Sequence, residues 1–182
     1  MRRFTIGAAA AGLWTLAAVL PVGAATTVSP FAGAWHLNKE ESKLVAGNPA
    51  PQDIIWEIKN YSTKGHNDYN KVQWSLTIIY PDGKGRVEGF NGAFDGKPYP
   101  IQGLEDGATR SYTVLPDGSL KSESINPKTN ATGSSTCSLS PDSKKMTCQG
   151  TAADAQGKPA EFTVVFDRMV SSAEPINKKK QP

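Results

Sequence analysis

Lys71-Val72-Gln73-Trp74-Ser75-Leu76-Thr77-Ile78-Ile79-Tyr80, followed at once by Pro81-Asp82-Gly83-Lys84-Gly85, is the stretch on which the fold turns. Val72, Trp74, Leu76, Ile78 and Tyr80 fall on one side of an extended chain and Lys71, Gln73, Ser75 and Thr77 on the other, which is the period-two pattern of a half-buried strand. Pro-Asp-Gly then supplies a tight turn. The same pairing of alternation and turn recurs along the chain. Ile54, Trp56 and Ile58 oppose Ile55, Glu57 and Lys59, and Phe162, Val164, Phe166 and Arg168 oppose Glu161, Thr163, Val165 and Asp167. Turn pairs stand at Asp82-Gly83, Asp95-Gly96, Asp106-Gly107, Asp117-Gly118, Asp142-Ser143 and Gln156-Gly157.

Between these turns the pattern predicts strands over 33–38, 53–59, 71–80, 86–94, 109–115, 120–125, 132–139, 145–150 and 161–168, with a short tenth over 97–101. Residues 39–46 are the one place where a turn or two of helix fits. The expected class is all-β and antiparallel, a meander of nine or ten strands. Strands with one apolar face leave unpaired edges unless the sheet curls, so an up-and-down β-barrel is the favoured architecture and a two-sheet β-sandwich its rival.

Composition agrees with a turn-rich globular chain: 182 residues, 17 Gly, 13 Pro, 38% hydrophobic and 20% charged. The formal net charge of +3 is misleading about partners. Setting aside Arg2, Arg3, Lys178, Lys179 and Lys180 leaves 15 basic against 17 acidic residues, and a body at −2 has no basic surplus for nucleic-acid phosphates.

Residues 1–25 read as a cleavable leader: Arg2 and Arg3 form a basic start, Ile6 to Leu20 an apolar run, and small residues follow Pro21. Export by the general or the twin-arginine route fits the leader, and a periplasmic or secreted destination follows. Residues 26–170 then form a single domain and 171–182 a flexible basic tail. No later segment is long and apolar enough to span a bilayer, and nothing in the sequence speaks against a monomer. In an oxidising compartment the only two cysteines, Cys137 and Cys148, are expected to pair. They stand symmetrically about Asp142-Ser143, so a hairpin places them directly opposite, with Leu139 facing Met146. Such a bridge is a structural staple of roughly 2 to 3 kcal/mol, a redox-active pair being the alternative.

Phe31-Ala32-Gly33-Ala34-Trp35 resembles the F-x-G-x-W motif on the first strand of lipocalins. The resemblance implies a barrel in which Trp35 plugs one end and a basic residue of the last strand, here Arg168, packs across it. The second lipocalin motif, T-D-Y, is absent. Over nearly the whole mature length the chain also resembles a lipocalin-like group of small exported bacterial proteins without assigned activity. The matching pieces are Phe31 to Asn38 with Ser42-Lys43, Phe94 to Pro100, and Asp154 to Pro159.

Catalytic chemistry finds little to work with. There are two histidines: His36 on the outward face of the first strand and His66 in the polar loop Tyr61 to Asn70, near Asp68. No G-x-S-x-G is present, and no set of three or four ligands forms a metal site. Glu40, Glu41, Glu57, Glu88, Glu105 and Asp106 read as solvated charges rather than a catalytic carboxylate pair. The expectation is a protein that is not an enzyme, with neither cofactor nor metal. What remains is an interior. Trp56, Trp74, Tyr80, Tyr112 and Phe162 share inward parity and are the candidate contacts of a small hydrophobic molecule, with plain core packing as the competing role. Ser122 and Ser124 share the parity of Leu120, which makes one wall small and polar, and residues 39–52 form a connection long enough to cover a barrel mouth. The alternative is an envelope interaction module without a ligand that meets a protein partner through Tyr61 to Asn70 and Ile125 to Gly133.

Overall fold

A computed structural model of the protein describes residues 29–61 and 70–169; residues 1–28, where a leader is expected, residues 62–69, with His66 and Asp68, and residues 170–182, where a basic tail is expected, lie outside them. Ten strands follow one another: β1 (Gly33–Lys43), β2 (Asp53–Tyr61), β3 (Lys71–Ile79), β4 (Gly85–Ala93), β5 (Tyr99–Gln102), β6 (Thr109–Val114), β7 (Leu120–Asn126), β8 (Ala131–Leu139), β9 (Lys145–Ala153) and β10 (Pro159–Arg168). Each pairs with its successor, and β1 pairs with both β2 and β10, so the sheet closes into an antiparallel barrel. Closure removes the free edges that a flat sheet of such strands would expose, and it rules out the sandwich.

The seam between β1 and β10 is built by side chains as well as backbone. Trp35 to Asn38 pair with Arg168 to Val165, and the register then shifts so that Lys43 meets Thr163. Across this bulge Ser42 Oγ accepts the Val165 N–H at 2.9 Å and donates to the Asn38 carbonyl at 2.6 Å. Asn38 Nδ2 donates to Asp167 at 2.9 Å. Polar side chains thus replace ladder bonds that the extra residues interrupt. β1 therefore runs extended to Lys43, through the start of the stretch 39–46 where a turn or two of helix also fits the sequence. The edge of β10 offers partners that no local preference reveals, and the connection able to approach the mouth shrinks to residues 44–52.

The turns share one device. In Tyr80 to Lys84 the Gly83 N–H donates to the Tyr80 carbonyl at 3.0 Å, the Tyr80 N–H to the Lys84 carbonyl at 2.8 Å, and Asp82 accepts the Lys84 N–H at 3.0 Å. The residue after the acid has positive φ, 78° at Gly83 and 82° at Gly118. This is a type I turn closed by a left-handed residue. The β8–β9 turn, closed one residue later by the Ser140 N–H to the Lys145 carbonyl, puts a serine, Ser143, at the same left-handed position with φ 56°. A side chain costs about 1 kcal/mol there, and the Ser143 contact to the Arg168 guanidinium is through the carbonyl, at 2.7 Å, which glycine retains. Ser143→Gly is accordingly expected to stabilise the protein by about 1 kcal/mol in urea unfolding, and no gain would contradict the turn as described.

The hairpin places Cys137 opposite Cys148 and Leu139 opposite Met146. The cysteines are disulfide-bonded, their Cα atoms 4.0 Å apart, and both are buried on the inner wall. The solid part of the core lies toward the end where β1 begins, around Phe31, Trp35, Phe90, Met146 and Val72. Up-and-down order puts the turns after β2, β4, β6 and β8 at that end, and those after β1, β3, β5, β7 and β9 at the other.

Candidate functional site

One end of the barrel is plugged. Trp35 is fully buried, its indole N–H donates to the Phe31 carbonyl at 2.9 Å, and the Arg168 guanidinium lies 4.1 Å above its ring. That guanidinium also donates to three backbone carbonyls, of Pro30, Ala32 and Ser143, each at 2.7 Å. Gly33 is part of the arrangement, because a Cβ there would stand 2.6 Å from Arg168 Nη1. Phe31, Gly33 and Trp35 are thus three parts of one closure: a residue that accepts from the indole, a position where the guanidinium fits, and the plug.

Beyond the plug, toward the opposite end, the interior holds a cavity of about 230 Å³. Ile54, Trp56, Leu76, Phe162, Val164 and Phe166 form its apolar walls. Ser122, Ser124, Ser135 and Thr151 are on the remaining side, and the Cys137–Cys148 bridge borders it too. Ser122 and Ser135 hydrogen-bond to each other across β7 and β8 at 2.9 Å. Small residues on β7 and β8 opposite large ones on β2 and β10 are what leave the space open, since a second wall of Leu or Phe would fill it.

The five aromatic residues expected at the interior divide. Trp56, Tyr112 and Phe162 line the cavity. Trp74 is buried behind it, edge-on to Trp56 with ring centroids 6.1 Å apart and stacked on Phe90 at 5.6 Å. Tyr80 is not in the interior: β3 ends at Ile79, and Tyr80 lies with Pro49, Pro81 and Lys84 in a separate pocket at the rim. Parity predicts a facing direction only while a strand continues, and Tyr80 is already the first residue of the turn.

Two charged side chains were misplaced or passed over at the sequence level. Glu88, read as a solvated charge, is 4% exposed and on the inward side of β4 with Phe90, ion-paired to Arg86 at 2.8 Å. Arg110 lines the cavity from β6, two residues before Tyr112 and opposite Ser124. The signal for both was present, since each shares the parity of a buried aromatic two residues on. Burial raises the Tyr112 phenol pKa, against a smaller lowering by the Arg110 guanidinium, so the hydroxyl keeps its proton at neutral pH. His36, by contrast, is on the outer face with its ring 2.9 Å from Asp53 and takes no part in the cavity.

Solved structures of similar shape exist at low sequence identity. A secretory abundant heat soluble protein from Ramazzottius varieornatus superposes with a TM-score of 0.53 at 12% identity, covering 79% of this chain and 98% of its own. Secretory abundant heat soluble protein 4 from the same organism has a TM-score of 0.48 at 13% identity, over 79% and 98%. Zebrafish ileal bile acid-binding protein, solved with cholic acid, has 0.42 at 16%, over 78% and 100%. At such identities the first likeness speaks for the fold alone. No family model matches the chain, and no curated protein sequence does.

Proposed function

We propose that the chain is an exported, lipocalin-like barrel without catalytic activity that holds a small, mostly apolar molecule in its interior. The supporting observation is the cavity of about 230 Å³, walled by Ile54, Trp56, Leu76, Phe162, Val164 and Phe166 and lying at the end of the barrel away from the Trp35 plug. A space of that size against an apolar wall is one a ligand of modest length gains by filling. The contacts assigned to the ligand are Trp56, Tyr112 and Phe162, with Trp74 holding Trp56 in place from behind. Export belongs to the same proposal, with residues 1–25 as leader, 26–170 as the working domain and 171–182 as a tail; the Cys137–Cys148 bridge supports an oxidising destination.

Native followed by denaturing mass spectrometry of the protein taken from its host tests this. The expected result is extra mass that survives native spray and disappears on denaturation, together with a raised melting temperature when the released molecule is added back. A bare chain that no member of a lipid and amphiphile panel stabilises overturns the proposal and moves the function to the outer loops.

A further inference from the structure

Four polar atoms in or beside the cavity are buried without a hydrogen-bond partner: Trp56 Nε1, Trp74 Nε1, Arg110 Nε and Tyr112 Oη. Three of these can only donate, and the fourth, a protonated phenol, has a proton to give. They are also neighbours. Trp74 is edge-on to Trp56, the Arg110 guanidinium carbon is 5.6 Å from the centre of the Trp74 ring, and the Tyr112 phenol is near enough to Arg110 and Trp74 for both donors to favour its ionised form and near enough to Glu88 for that carboxylate to oppose it. Buried donors left open are costly, and a cluster of them in a native structure calls for an acceptor.

The charge balance of the interior gives that acceptor its sign. Glu88 is the buried carboxylate among the described residues, and its nearest cation is Arg86, at 2.8 Å. Arg110 forms no ion pair with any described carboxylate. It has only the face of Trp74 and the neighbouring Tyr112. Arg110 therefore stands at the cavity without an ion-pair partner among the described residues, beside buried donors and above walls that are apolar.

Resting on the ligand-binding proposal above, we infer that the occupant is an amphipathic anion, a carboxylic acid whose head is held by Arg110, Tyr112 and Trp56 and whose hydrocarbon body lies along Leu76, Phe162 and Phe166. An ionised carboxylate accepts from several donors at once and matches the guanidinium, whereas an alcohol or ester of equal length leaves the charge unanswered. The volume selects the length. At roughly 30 Å³ for each water displaced the cavity holds about eight waters, which suits a medium-chain acid better than a long one.

The test compares octanoate with 1-octanol at about pH 7.5, where the acid is ionised, followed by indole fluorescence and calorimetry. Octanoate is expected to bind the purified protein at least about tenfold more tightly than octanol. Arg110→Met keeps the length and apolar volume of the stem and is expected to abolish that preference while leaving octanol affinity within about threefold. Tyr112→Phe, which removes only a hydroxyl, is expected to weaken octanoate severalfold without changing octanol, and it serves as the second variant should Arg110→Met fold poorly. Equal affinities for acid and alcohol, or a preference that survives both substitutions, overturns this inference and leaves the ligand-binding proposal standing. Absence of binding by either compound and by their shorter and longer homologues overturns both.

Discussion

Replacing Trp35 by alanine is expected to lower the unfolding free energy by about 4 kcal/mol and the melting temperature by roughly 10 °C. The indole is fully buried, so its removal leaves a void at the closed end that cannot refill from solvent. The loss extends to its partner. Arg168 is held above the ring by its donations to the carbonyls of Pro30, Ala32 and Ser143, and without the ring its face is turned to an empty space. These contacts join the segment before β1, the β8–β9 turn and the end of β10, so the seam of the barrel is weakened as well as its core. Urea unfolding followed by far-ultraviolet circular dichroism measures the change; a cost under about 1 kcal/mol would mean that the barrel end closes without the plug. Trp35→Phe should recover only part of the stability, since it fills most of the volume but has no N–H for the Phe31 carbonyl.

Gly150→Ala is the second large effect, expected to cost about 3 kcal/mol or more despite adding a single methyl group. A Cβ at this position of β9 would lie 1.9 Å from the Ser134 carbonyl oxygen and 2.7 Å from Ser135 Cα, both backbone atoms of β8. Backbone cannot swing aside as a side chain can. The two strands are further tied by the Cys137–Cys148 bridge two residues away along β9, so the pair cannot simply separate. The β8 backbone passes close to β9 here, and glycine permits the approach. Gly118→Ala makes the comparison: its Cβ would meet nothing within 4 Å, leaving only the cost of positive φ, about 1 kcal/mol. Equal losses for the two variants would refute the steric account of Gly150.

Strand positions, turn positions and inward parity over Trp56, Trp74, Tyr112 and Phe162 were legible because each is a local property: alternation needs a few residues and a turn needs four. The facing of Cys137 and Cys148, and of Trp35 and Arg168, followed from counting along a hairpin and from a short motif. Tyr80 shows where local counting stops, one residue past the end of its strand. Glu88 shows a different limit. Its parity was readable, but whether an inward carboxylate is tolerated depends on a cation delivered by the same strand, Arg86, which stays half-exposed while Glu88 is buried.

Tertiary structure decided between the favoured barrel and the sandwich, and it alone showed the bulge that carries β1 to Lys43 and the shape of the cavity. Closure depends on an edge-to-edge pairing between the first and last strands, whose partners are more than a hundred residues apart. The cavity is a difference between facing walls, large side chains on β2 and β10 against serines on β7 and β8, and no single strand carries that difference in its own pattern. That Arg110 has no ion-pair partner among the described residues is likewise a property of its surroundings, because a lone arginine in a sequence says nothing of which carboxylates the folded chain will keep out of its reach.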